Sequence, residues 1–227
     1  MLQEFIEETK KTAQEEVNNI HTVVPGEIVY FDASKCLATV QPKMKFRQKN
    51  GETMDYPEIG EVPVVFLQTM KQEATIAMPI KAGDGCLIVF SEQSLDYWQH
   101  GQETDTDLKF DLTNAICIPG LFSKENSIIK EACDNNAIIV DVKGTRITVK
   151  KDNVEIESKN VKIKSEKVDI EGDISVTGKL STTEDISTNA NVSADGDVKS
   201  ATASLSTHTH TAFAPNAPTS PPIPSVT

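Results

Sequence analysis

Between residues 147 and 205 apolar residues return at a short, fixed interval, and this interval constrains the fold more than any other feature of the chain. Ile147, Val154, Val161 and Val168 are spaced by seven. Val168, Ile174, Leu180, Ile186, Val192 and Val198 are spaced by six, and Leu205 follows after seven more. Val149, Ile156, Ile163, Ile170 and Val176 stand two residues after repeat positions, which is the alternation of a strand. A helix cannot keep such a set on one face. Six residues at ~100° each bring a position back about 120° off, so successive repeats walk around the cylinder. Polar strands with a fixed short period fit a solenoid in which each repeat is one strand and one corner.

Residues 137–205 contain no aromatic residue and no proline, and beyond Val176 they are thin in apolar residues. One chain alone has too little apolar surface there to order the segment. Three chains around one axis remove that problem by pooling their inward Val, Ile and Leu side chains. The ten segments, at about 4.8 Å per stacked layer, give a rod of roughly 45–50 Å.

The rod runs into His208-Thr209-His210. Two histidines separated by one residue point to the same side of a strand. Three copies bring six imidazoles to the axis, an octahedral set. Neutral imidazole suits first-row transition ions, and zinc prefers four ligands, so six point to another ion, with iron and nickel both open. Five of the chain's eleven prolines follow, in STHTHTAFAPNAPTSPPIPSVT. Proline cannot donate to a strand ladder, so the stack ends here in a stiff tip, with Phe213 as a plug for its core.

The rest of the chain reads differently. Residues 1–20 place Leu2, Phe5, Ile6, Ala13, Val17 and Ile20 among charged residues at helical spacings, an amphipathic helix for docking on its own domain, a sister subunit or a partner. Residues 21–122 hold the short β-branched or aromatic runs GEIVYF, CLATVQP, VPVVFL, TIAMPI and GCLIVF. Turn residues at Lys49-Asn50-Gly51 and Gly83-Asp84-Gly85 break them, and Pro42, Pro63 and Pro79 sit at run ends. Five or six short strands in about a hundred residues make a small barrel or sandwich. Phe90, Tyr97 and Trp98 are expected in its core or at subunit contacts. Residues 123–136 read as a linker, 137–205 as the trimeric rod and 206–227 as its apical tip.

The net charge of -12 argues against nucleic acid and anionic membrane surfaces as main partners. The first eleven residues, MLQEFIEETKK, lack a basic start and apolar run, so ordinary secretion is not expected. Cys36, Cys86, Cys117 and Cys133 form no CxxC pair; the first three lie in strand-like runs, and buried free thiols are expected. His21 and His100 lack partner spacing and read as ordinary polar residues.

The stretches VPVVFL (62–67), MPIKAGDGCLIVFSEQSLDYWQHG (78–101) and FDLTNAICIPGLF (110–122) resemble the central spike of contractile phage tails and contractile bacteriocins. The likeness is to the membrane-piercing group with an N-terminal OB-fold. Pro79, Gly83, Asp84, Cys86, Phe90, Asp96, Trp98 and Gly101 fall where that pattern expects them, and STHTH (206–210) is similar to its apical iron-binding motif. Phe110 departs from the pattern, which often carries a histidine nearby. The resemblance implies a mainly β homotrimer: N-terminal helix, OB-fold barrel, then an intertwined trimeric β-helix with a metal-bound, proline-rich apex. It implies octahedral iron, one ion per trimer, held by His208 and His210 of each chain. Its implied partners are the baseplate hub and tail tube at the OB-fold end and the target cell envelope at the tip. The implied location is the tail baseplate of a virion or bacteriocin particle.

Two rival readings follow from the same residues. A trimeric receptor-binding fibre usually ends in a larger domain than the 17 residues after His210. A β-solenoid enzyme acting on cell-wall polysaccharide usually needs a longer solenoid with convergent carboxylates. No GxSxG, HExxH or phosphate-loop motif is present, and a non-catalytic role is expected.

Overall fold

The computed structural model describes residues 2–48, 51–101, 108–200, 204–211 and 220. It divides into two units, Met1–Val161 and Lys162–Thr227. The first is mainly β. Helix α1 (Leu2–Asn19) leads into β1 (Val23–Asp32) and β2 (Leu37–Pro42). Two short strands, β3 (Lys45–Arg47) and β4 (Thr53–Asp55), form a side hairpin before β5 (Ile59–Pro63). A second side hairpin, β6 (Leu67–Thr69) and β7 (Ala74–Ile76), precedes β8 (Gly85–Phe90). Helix α2 (Asp96–His100) and β9 (Ala115–Pro119) follow. Then come α3 (Ser127–Asn135) and the meander β10 (Ile138–Val142), β11 (Thr145–Lys150) and β12 (Asn153–Glu157).

The main sheet has the order β5-β2-β1-β8-β9. Its two ends approach each other: Val64, just past β5, forms a parallel bridge with Cys117 of β9, and the Val65 amide donates to the Cys117 carbonyl at 2.9 Å. The sheet is therefore a curled, barrel-like structure of the OB-fold kind, with β1, β2, β5, β8 and β9 as its five barrel strands. Strict alternation in β2 and β8 sends Ala38, Val40 and Pro42, and Cys86, Ile88 and Phe90, inward. With Ile28, Ile59, Val62, Ala115 and Cys117 they make the core.

The expected turn at Gly83-Asp84-Gly85 forms: Gly83 is left-handed (φ 92°), and the Lys81 amide donates to the Asp84 carboxylate at 2.7 Å. Pro42 and Pro63 close their strands as read from the sequence. Of the turn 49–51, Lys49 and Asn50 lie outside the described residues; Gly51 is left-handed (φ 88°). Of TIAMPI only Thr75 and Ile76 lie in a strand.

The expected burial holds for two of the four cysteines and, among the three aromatics, for Phe90. Phe90 is buried; Tyr97 and Trp98, on α2 in the loop between β8 and β9, are 66% and 72% exposed in the single chain, so of their two expected places, core and subunit contact, the barrel core does not hold them. Cys36 is exposed in the β1–β2 turn with a left-handed backbone (φ 56°), and Cys133 is exposed on α3. Only Cys86 and Cys117 are buried thiols; their mutual hydrogen bond and burial push the Cys117 thiol well above its usual range. Within 123–136, read as a linker, stands α3: the Asn126 carboxamide accepts from the Ile128 amide at 2.9 Å, and left-handed Asn136 (φ 48°) ends the helix.

Arg146 of β11 fixes α3 on one face of the meander. It bonds Glu131 of α3 at 2.8 Å and Asp141 of β10 at 3.2 Å. The registers Ile138↔Val149, Val140↔Ile147, Ile147↔Ile156 and Val149↔Val154 put those residues on the opposite face. All of them are partly or largely exposed, from 39% at Val149 to 70% at Ile138. The alternation at 147, 149, 154 and 156 therefore does produce one apolar face, and this chain leaves it uncovered.

In the second unit the described residues 162–198 contain no regular strand within the chain. Hydroxyl-clamped corners recur in and just before it: Ser158, Ser165 and Thr188 each accept from the amide two residues on and donate to that residue's carbonyl.

A Cβ on Gly85 would stand 1.8 Å from the Leu121 carbonyl oxygen, whereas one on Gly60 would meet nothing within 4 Å. Gly85→Ala is expected to destabilise the barrel by about 3 kcal/mol, read as a lower urea midpoint, since backbone cannot yield as a side chain does. Gly60→Ala is expected to leave the midpoint nearly unchanged.

Candidate metal centre

The turn that carries the histidine pair is built by one carboxylate. Asp197 accepts from the Ser204 hydroxyl and, at 3.0 Å, from the Ser206 amide. Lys199 and Ser204 form an antiparallel bridge, and the Leu205 amide donates to the Val198 carbonyl at 2.9 Å. The Thr207 amide donates to the Ser204 hydroxyl at 3.2 Å, and the His208 amide to the Ser204 carbonyl at 3.0 Å. Ser204 is consequently buried although Leu205 and Ser206 are exposed. The Ser204 hydroxyl, followed by the Ser206 groups and Lys199, holds the Asp197 carboxyl below its usual 3.8.

His208 and His210 stand side by side, their ring centroids 5.0 Å apart and their planes at 78°. The Nδ1 of His208 faces the carbonyls of Ser204 and Leu205 at 3.1 and 2.9 Å. The Nδ1 of His210 faces the Ser220 carbonyl at 2.6 Å. A carbonyl only accepts, so each Nδ1 carries the proton and donates it. Neutral imidazole then has its lone pair on Nε2 in both rings. This is the arrangement in which a metal-binding histidine is oriented by its second nitrogen. The Thr211 amide donates to the Ser220 hydroxyl at 2.9 Å and the Ser220 amide to the Thr211 carbonyl at 3.0 Å, which pins the strand after the pair.

The structure thus brings the two sequence-predicted ligands together and prepares both Nε2 atoms. Among the described residues of one chain, no group of three or more His, Cys, Asp or Glu could hold a metal ion. Phe213 and the prolines from Pro215 to Pro224 lie outside the described residues. Asp197 escaped the sequence reading, since an Asp nine residues before a Ser has no motif; the one available signal was the Asp195-Gly196-Asp197 turn before the last repeat.

The remaining histidines lie in the first unit. The His21 ring is half-buried and packs against Tyr56 and Phe90, with centroids at 5.7 Å from each. His100 is exposed at the end of α2. Phe110, where the spike pattern departs, is left-handed (φ 52°), with its carbonyl taking the His21 amide at 3.1 Å.

Residues 24–120, which take in the five barrel strands apart from Val23, match the family model described as the phage protein Gp138 N-terminal domain. This likeness to a phage protein domain suggests a phage structural role. No curated protein matches the chain. No helix among the described residues is long and apolar enough to cross a membrane.

The lowered Asp197 value fixes a pH dependence. Its hydrogen bonds favour the turn fully above the usual carboxyl value of 3.8, and that contribution is lost as pH falls below it through the lowered folded value. The Ser206 amide resonance is expected to titrate in this acid window in the wild type and to stay flat in Asp197→Asn. Equal titration in both proteins would contradict the assigned bond.

Proposed function

We propose that this protein is the central spike of a contractile tail baseplate, a homotrimer that caps the tube and is driven through the target envelope by sheath contraction. The observation that carries the proposal is the uncovered apolar ladder. In the single chain every repeat residue from Val161 to Val198 is at least 47% exposed, including Ile174 at 66%, Leu180 at 72% and Val192 at 75%. Such a stripe in an acidic, otherwise polar segment calls for partners with the same period, and two more copies of the chain have it. Strand pairing between copies would also occupy the backbone groups that residues 162–198 do not pair within the chain. The bare face of the β10–β12 meander supports the same stoichiometry.

In this reading the barrel end meets the baseplate hub and tail tube, and the tip meets the envelope. His208 and His210 of three copies supply six imidazole nitrogens through Nε2, and iron is the ion they hold. When bound, the ion supplies a crosslink between three chain ends that would otherwise fray. Asp197 keeps the turn in place, and the Ser204, Leu205 and Ser220 carbonyls orient the rings. No catalytic step is assigned, because the contracting sheath provides the work. The match to a phage protein domain supports this reading over a free-standing enzyme.

Native mass with elemental analysis tests the proposal. The wild type is expected as a trimer with one iron per three chains, and His208→Ala/His210→Ala as a trimer without iron. A metal-free monomeric wild type would overturn both parts. Ile174→Asp, which puts a charge into the shared interior, is expected to shift the mass toward monomer.

A further inference from the structure

We propose that the barrel carries a binding groove for a neutral oligosaccharide, centred on Trp98. The groove, about 730 Å³, lies between the β1–β2 turn, β5 and the loop from β8 to β9. In strand order these are the loop between the first and second barrel strands, the third strand, and the loop between the fourth and fifth. An OB-fold takes extended polymers on that side. The volume falls within the ordinary range for a ligand site.

The lining selects the kind of polymer. Trp98 stands at the groove with 72% of its surface exposed, a flat apolar platform of the size of a pyranose ring. Gln68, Gln72 and Gln99 bring three carboxamides, each able to donate and accept, and Glu61 brings a carboxylate that accepts. None of these four side chains has a hydrogen-bond partner among the described residues. Val65 and Ile116 provide an apolar floor. Only Lys35 and His100 are basic, and Glu61 offsets them, so a phosphate backbone finds no cationic track on a chain of net charge -12. Sugar hydroxyls need what is present: mixed donors and acceptors around an aromatic face.

The backbone supports the same place. Cys36, Glu61 and Gln72 reach the groove from three separate segments, and each is held in the left-handed region, with φ of 56°, 55° and 75°. Non-glycine residues in that region are uncommon, and strain of this kind gathers at binding sites. The proposal rests on the barrel and does not need the metal; it requires that Trp98 stay uncovered when copies of the chain assemble.

Trp98 is the chain's single tryptophan, so its emission reports the groove directly. The full-length protein is titrated with chitotetraose, maltohexaose and a ten-residue thymidine oligonucleotide, by fluorescence and by calorimetry. A saturable blue shift with measurable heat is expected for at least one sugar and none for the oligonucleotide. Trp98→Ala is expected to abolish the heat and Gln68→Ala to weaken binding about tenfold, with far-ultraviolet circular dichroism unchanged. Silence with both sugars overturns the proposal, as does sugar heat that survives Trp98→Ala. An emission already blue-shifted without ligand and unmoved by either sugar also overturns it, since Trp98 is then covered by another protein surface.

Discussion

Ordering a chain segment costs conformational entropy at every residue, and only burial of apolar surface offsets it at scale. In the barrel the chain does this alone: Ile28, Val40, Val62, Cys86, Ile88 and Cys117 are excluded from solvent within one sheet curled on itself. From Val161 onward it cannot. The repeat residues from Val161 to Val198 all stand exposed in the single chain. In the proposed reading, what orders that segment comes from other chains with the same spacing. The rest of the proposed architecture depends on this: copy number, pairing of the free backbone, and completion of a metal set from a histidine pair.

The two units consequently solve different problems. The barrel needs close backbone approach, as at Gly85 against Leu121, and a sealed alternating interior. The repeat needs corners that turn without a core, and hydroxyl clamps such as Ser158 and Ser165 provide them with local hydrogen bonds. At the apex a single exposed carboxylate, Asp197, does what a core would otherwise do, gathering Ser204 and Ser206 so that His208 and His210 face the same way. Protons on both Nδ1 atoms then leave the ring lone pairs on Nε2.

Much of this was legible in the residues because the signals were periodic or paired. Alternation in CLATVQP and GCLIVF translated directly into β2 and β8, and the helical spacing of residues 1–20 into α1. The pair at 208 and 210 was visible as a pair because one intervening residue fixes the side. The misreadings share a different cause. Trp98 was read as core or subunit contact because aromatic residues usually are; a loop helix takes it out of the core and to the surface of the single chain, over a groove. Cys36 abuts an apolar run, but the turn takes it before the strand begins. Helix α3 was hidden by its shortness, and only the Asn126 cap and the apolar pair Ile128-Ile129 could have announced it. Asp197 acts across a turn on residues seven and nine positions away, which no local pattern encodes.

Amide hydrogen exchange across residues 161–200 tests the central claim most directly. If three copies pair their repeats, these amides are protected well beyond the rate of an unstructured peptide, with protection recurring at the six-residue period and disappearing in Ile174→Asp. If residues 161–200 exchange at free-peptide rates in the wild type, the ladder is not buried between copies, and the account of this protein as a spike is wrong.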